Sequence, residues 1–191
     1  MPETRDKRRR SDLDLFVMAL IDSGISTPYD FQKSAGLSPG ATIPALQRLL
    51  EAGSVRQGKP GSRGRTDYSI TSAGRKFLKS GWRILIEDGP SGDLDADLRV
   101  ALLVLWAGGK RRLATDFLQQ SALKKLESIE MLEAGEENSS ISSLADWYAK
   151  LRFTSAKTLL KAESAAALKM AEALPERLSA KATRTKRVAK S

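Results

Sequence analysis

The chain contains neither cysteine nor histidine, and these two absences remove most of the familiar site chemistry. Without cysteine there is no disulfide, no thiolate metal ligand and no thiol nucleophile. Without histidine the imidazole base, the Ser-His-Asp triad and the common zinc sites go as well. Only carboxylate and lysine chemistry remains for catalysis, so we expect no enzyme, no metal site and no cofactor. Long apolar runs are missing too. The longest, Val100 to Ala107, is far short of the ~20 residues that span a bilayer. The early run "SDLDLFVMALI" is interrupted by Asp12 and Asp14, unlike a signal-peptide core. The expectation is a soluble, cytoplasmic protein with no membrane partner.

What is present in excess is positive charge, and it is segregated. The 191 residues carry a net charge of +9, enough chain for one ordinary domain or two small ones. Residues 11–53 hold two basic and five acidic side chains, and residues 84–178 hold twelve and fifteen. Residues 54–83 hold eight and one, residues 1–10 five and two, and residues 179–191 five and none. A solvated surface mixes signs; this separation points to a polyanion, most simply double-stranded DNA.

Apolar periodicity supplies the architecture. Leu13, Phe16, Val17, Leu20 and Ile21 form one helical stripe, with Ser11 as the expected cap and Gly24 as the stop. Thr27 and Pro28 open a second helix that Gly36 closes, and Ser38 caps a third that ends near Gly53. Ile43, Leu46, Leu49 and Leu50 are expected on its inner face. Pro44 either bends the first turn of that helix or delays its regular part to about Thr42. "SVRQ" and "TDYSI" then suggest two strands, with the basic loop "GKPGSRGR" between them. Thr71 caps a fourth helix whose inner face is Phe77, Leu78, Trp82 and Leu85. Helix, helix, helix, strand, basic loop, strand is the order of a winged helix, in which the loop is the wing.

The second half is helical throughout. "DLDADLRVALLVLWAGG" is apolar on both sides: Leu94, Leu98, Ala101, Leu102 and Leu105 on one, Val100, Leu103 and Val104 on the other. Leu113, Phe117, Leu126, Ile129 and Leu132 mark the next helix. A last seam runs from Leu144 through Trp147, Tyr148, Leu151, Leu159, Ala162, Ala166 and Met170 to Leu174, where Pro175 closes it. At 1.5 Å per residue that seam reaches about 45 Å, too much apolar surface for these residues to cover alone. A homodimer through Leu103, Val104, Trp147, Leu151, Leu159, Ala166 and Met170 would cover it. A cut near Asp88 should then leave a folded monomer.

"GATIPALQRLLEAGSV" (40–55), "GRTDYSITSAGRKFL" (64–78) and the later pairing of "ATDFL" with "LADWYAKLRF" resemble the PadR family of bacterial transcriptional regulators. Pro44, Leu46, Arg48, Leu49, Gly53, Tyr68, Thr71 and Gly74 stand at matching places, and the resemblance extends over residues 11–174. Ile43 departs from it, because the family usually has a tyrosine before this proline. The resemblance implies the longer, class I form, a dimer made by C-terminal helices, and a place for a small apolar effector near Trp82, Trp106, Trp147 and Tyr148. For these aromatics a core role is the preferred reading.

The expected fold is therefore mainly α. A winged helix-turn-helix domain with a two-stranded β-wing occupies 11–88 and a helical dimerisation domain occupies 90–176, between basic tails at 1–10 and 177–191. The expected function is sequence-specific DNA-binding regulation, as a repressor on an inverted repeat. Ser38, Pro39, Ala41, Thr42, Ala45 and Arg48 would read the major groove, and Lys59, Arg63, Arg65 and Tyr68 would grip the duplex from the wing. The alternatives are a winged-helix protein-interaction module and a MarR-like ligand-responsive regulator. For Arg48, an ion pair with Glu51 or Glu87 is the competing role. Asp93, Asp95 and Asp97 are assigned to a helix start rather than to a metal loop.

Overall fold

The computed structural model describes residues 3–59, 66–136 and 143–178, with residues 3–11 and 135–136 described by backbone alone. Seven helices and one hairpin are found there: α1 (Glu3–Asp22), α2 (Pro28–Ala35), α3 (Pro39–Glu51), β1 (Val55–Gln57), β2 (Tyr68–Ile70), α4 (Ser72–Glu87), α5 (Leu94–Gly108), α6 (Arg111–Glu136) and α7 (Leu144–Ala173). The protein is mainly α with one small antiparallel sheet.

Most helix starts follow from their capping residues. Thr27 accepts the Asp30 amide, Ser38 the Ala41 amide, Thr71 the Gly74 amide and Asp93 the Ala96 amide. Each satisfies an amide that the first turn leaves without a carbonyl. Ser143 and Asp146 make a reciprocal capping box at α7. Ser11 is not a cap. α1 begins at Glu3, so the basic segment 3–10 continues the helix rather than forming a tail. Arg, Lys and Glu are good helix formers, which favours that extension. α3 runs unbroken through Pro44. The amide that proline lacks would have met Gly40, and both residues lie on the exposed side.

The hairpin pairs Val55 with Ile70, Arg56 with Ser69 and Gln57 with Tyr68. Val55 and Ile70 point inward and are buried. At the root of the hairpin, Ser54 O accepts both the amide and the hydroxyl of Thr71, at 3.0 and 3.1 Å. Gly74 is required there, because a Cβ would overlap that carbonyl oxygen and lie 2.9 Å from its carbon.

α5 lies at the centre of the molecule. It packs against α1 and α4 on one side and α6 on the other, with the end of α7 beside it. Val100, Ala101, Leu103, Val104 and Leu105 join one continuous buried cluster with Leu15, Val17, Met18, Phe31, Leu46, Leu49, Leu78, Trp82, Leu85, Phe117 and Leu118. The core therefore crosses the expected boundary near residue 89 instead of stopping at it. Arg99 of α5 adds an ion pair to buried Asp12 of α1 at 2.8 Å. Gly108 lets the two halves close, since a Cβ would lie 2.8 Å from the Trp82 ring. Two assignments change accordingly. Leu103 and Val104, each 0 % exposed, are interior to the single chain and are not available to a second copy. The reason for the dimer that rested on α5 goes with them.

α6 and α7 form an antiparallel pair. Ser164 donates to the Ala122 carbonyl at 3.1 Å, and Arg111 donates to the Leu174 carbonyl at 3.0 Å. Lys125 is 1 % exposed, and its ammonium reaches Glu163 of α7 at 2.7 Å and the Gly92 carbonyl at 2.9 Å. Lys124 holds the Pro90 carbonyl of the same linker. Asp97 is also buried, accepting from the amide and hydroxyl of Ser91 and from the Ser121 hydroxyl. Phe77, expected inside, is exposed, and so is Leu126.

Candidate nucleic-acid interface

α3 is amphipathic, and burial decides which of its residues can face a partner. Thr42 and Ala45 are 0 % exposed. Thr42 donates its hydroxyl to Ser38 O at 3.1 Å, and Ala45 packs in the core beside Leu46 and Leu49. Neither can touch DNA, which corrects two expected contacts. Ser38 and Pro39 are exposed and Ala41 is half-buried. The outward face instead consists of Gly40, Ile43, Pro44 and Gln47, with Glu51 one turn further. Ile43 was expected inside and is 47 % exposed. The spacing i, i+3, i+4, i+7 from Gly40 would have found this face, but the apolar side chain of Ile43 drew it toward the core.

Arg48 is the only basic residue of α3. Its Nε donates to Asp14 at 3.0 Å and its Nη2 to the other carboxylate oxygen at 2.5 Å. The partner is thus Asp14 of α1, not Glu51 or Glu87. These hydrogen bonds push the guanidinium pKa further up against the opposing effect of burial, so the pair is held as ions and ties α3 to α1. Two residues before Asp14 in α1, burial pushes the Asp12 carboxyl above its ordinary value, and Arg99 opposes the shift only in part.

The hairpin carries exposed positive charge. Tyr68 is half-buried against the core, and its amide donates to Ser26 O at 2.8 Å. Gly58 N donates to Asp67 O at 2.7 Å, the last rung before the loop. Asp67, the one acid of residues 54–83, accepts the Ser26 hydroxyl at 3.1 Å. Arg56 and Lys59 are exposed. Arg63 and Arg65 lie outside the described residues.

The expected dimer residues separate into two groups. Ala166 and Met170 are half-buried, and Met170 packs on the core. Trp147, Leu151 and Leu159 are exposed, together with Leu144 at 87 % and Tyr148 at 63 %. Lys150 sits 5.6 Å from the Trp147 ring centroid and Arg152 5.9 Å from that of Tyr148. The four aromatics proposed for an effector pocket are not brought together. Trp82 is core, and its indole N–H donates to Lys79 O. Trp106 borders a hollow of about 250 Å³ with Leu78, Ala107, Leu178 and Arg75, smaller than the roughly 300–1,000 Å³ usual for ligand pockets. Among the described residues no cluster of acidic side chains is placed to hold a metal ion, and no helix is long and apolar enough to cross a membrane.

Three helices, a hairpin and a fourth helix thus present one neutral helix face on α3 and the exposed Arg56 and Lys59 on the hairpin. No protein-family model matches the chain, and no curated protein matches its sequence.

Proposed function

We propose that the protein is a sequence-specific DNA-binding transcriptional regulator of the winged-helix kind, similar to PadR regulators and acting as a repressor. One observation carries this reading: an antiparallel hairpin anchored to the helical body brackets a sequence that contains Lys59, Arg63 and Arg65, and Asp67, the one acid of residues 54–83, accepts a hydrogen bond from Ser26. α3 is the reader. Its outer face offers Gln47 for hydrogen bonding to a base edge and Ile43 for contact with a thymine methyl. The hairpin loop supplies the phosphate contacts that α3 does not. Replacing Arg63 and Arg65 together by Ala should weaken binding to a duplex selected from a random library by roughly 1–3 kcal/mol. It should also lower the salt slope by about two units. Equal affinity of the two proteins across a salt series refutes this role for the loop.

The active form is a homodimer on an inverted repeat, held by the exposed apolar face of α7 from Leu144 to Leu159. Equilibrium sedimentation tests it: Trp147→Ser with Leu151→Ser should turn a dimer into a monomer, and a monomeric wild type refutes it. A protein-interaction module is the second reading, favoured by the absence of a free cation on α3. Duplex binding with no salt dependence would support that reading instead.

A further inference from the structure

The outer side of α6 combines apolar and acidic residues that no described part of the chain covers. Leu123, Leu126, Glu130 and Glu133 fall at i, i+3, i+7 and i+10, which is one side of a helix, and all four are exposed. Glu127 stands exposed at the edge of the same side. The buried residues Leu118, Ala122, Lys125 and Ile129 lie away from it. From residue 126 to residue 136 the helix has four acids and no base.

The first half of α7 has the opposite sign. Residues 147–161 hold Lys150, Arg152, Lys157 and Lys161 and no acid. Lys150 and Arg152 flank the exposed stripe of Trp147, Tyr148 and Leu151 on either edge, each over one of its rings. Positive charge is therefore built into the apolar face. Among the described residues, Glu127, Glu130 and Glu133 make no ion pair, and neither do Lys150, Arg152 and Lys161.

The antiparallel register sets these two surfaces at one height. Ser164 meets Ala122, Glu163 meets Lys125 and Leu174 meets Arg111. Continued along both helices, that register brings residues 127–136 level with about residues 150–159, and Leu126 level with about Leu159. A two-fold axis parallel to the helix pair keeps heights equal between copies. It would set the acids of α6 beside the bases of the second copy's α7, and Leu126 beside Leu159. Two α7 stripes laid on each other would instead gather Lys150, Arg152 and Lys161 of both copies along one seam, and like charges there repel.

We propose that the outer side of α6 is the seat for α7 of a second copy, reciprocally in both protomers. The inference rests on the homodimer reading above and says what the exposed face of α7 docks on. The apolar residues supply the burial, and the acidic seat with its basic arm fixes which surfaces meet.

The test uses the full chain in three variants. E127K/E130K/E133K reverses the seat, K150E/R152E/K161E reverses the arm, and L123S/L126S removes the apolar part of the seat without adding charge. Circular dichroism checks that each is folded, and the serine variant keeps the test decisive if a reversal is not. In equilibrium sedimentation each should raise the dimer dissociation constant by at least about tenfold. Mixing the two reversed proteins should restore a dimer, because each arm then meets a seat of opposite sign. That rescue cannot come from repair within one chain. If the arms met each other, the reversed seat alone would leave the dimer unchanged. Wild-type dissociation constants for the reversed seat and for L123S/L126S overturn the proposal, as does a mixture that stays monomeric. If W147S/L151S is monomeric in either case, the homodimer stands and only its seat on α6 fails; a monomeric wild type overturns both.

Discussion

Lys125 offers a sharp test of how the α6–α7 pair is held to the rest of the molecule. Its ammonium is buried between Gly92 O and Glu163, while the Glu163 side chain keeps 29 % of its surface in solvent. Lys125→Met retains the apolar stem and removes the charge with its hydrogen bonds. A fully buried pair broken on one side costs about 3–5 kcal/mol. Here Glu163 can rehydrate, so the penalty is mainly the stranded Gly92 carbonyl and lost charge-assisted bonding, about 1–3 kcal/mol. For a chain of this size that lowers Tm by roughly 3–10 °C. The double variant K125M/E163M removes both charges and should recover most of the loss, giving a coupling energy of at least about 1 kcal/mol in a double-mutant cycle. Thermal and urea unfolding of the four proteins supply the cycle. A K125M protein as stable as wild type, or strictly additive losses, would refute the view that this pair fastens α7.

Gly74→Ala should cost at least about 2–3 kcal/mol, because its Cβ meets the Ser54 carbonyl and not a movable side chain. Gly40→Ala is its control and should be neutral or stabilising by up to about 1 kcal/mol, since the nearest atom to its Cβ is 3.9 Å away; unfolding midpoints compare the two. Asp12 gives a pH signature. Its folded pKa is raised from 3.8, so the folded chain binds that proton more tightly than the unfolded one. That stabilising contribution is complete below 3.8 and is lost as pH rises through the raised value. Urea midpoints of Asp12→Asn should therefore gain on wild type as pH rises above 3.8, and a constant difference would contradict the assignment. The fragment 1–88 should fail to fold by circular dichroism. It lacks Val100, Leu103, Val104 and Leu105, and burying each such side chain contributes about 1.5–3 kcal/mol, together comparable with a whole domain's stability of about 5–15 kcal/mol.

The sequence was most informative where local chemistry decides structure. Thr27, Ser38 and Thr71 announce their helices because a hydroxyl or carboxylate must meet free amides at each start, and the hairpin follows from two short strands around a glycine-rich loop. Composition misled where tertiary context overrides it. Ile43 and Phe77 are apolar yet exposed, while Thr42 and Lys125 are polar yet buried. Thr42 can be buried because its hydroxyl is satisfied by the turn beneath it, and Lys125 because two oxygens from distant segments converge on it. The Arg48–Asp14 pair spans 34 residues, and no pattern within one helix reveals it. α5 was seen to be apolar all round, but the missing cover was assigned to a second copy when α1 and α4 supply it.

The central position of α5 also matters while the chain is being made. Asp12 finds Arg99 across 87 residues, so the first four helices emerge before the element that covers Leu15, Met18, Trp82 and Leu85. At roughly 5–20 residues per second, the stretch from Asp88 to Gly108 takes about 1–4 s to synthesise. During that interval the nascent N-terminal half exposes an apolar face to its surroundings, including other nascent chains. Slower translation through this stretch would lengthen the exposure and raise the fraction lost to aggregation, with no change in the sequence or stability of the finished protein.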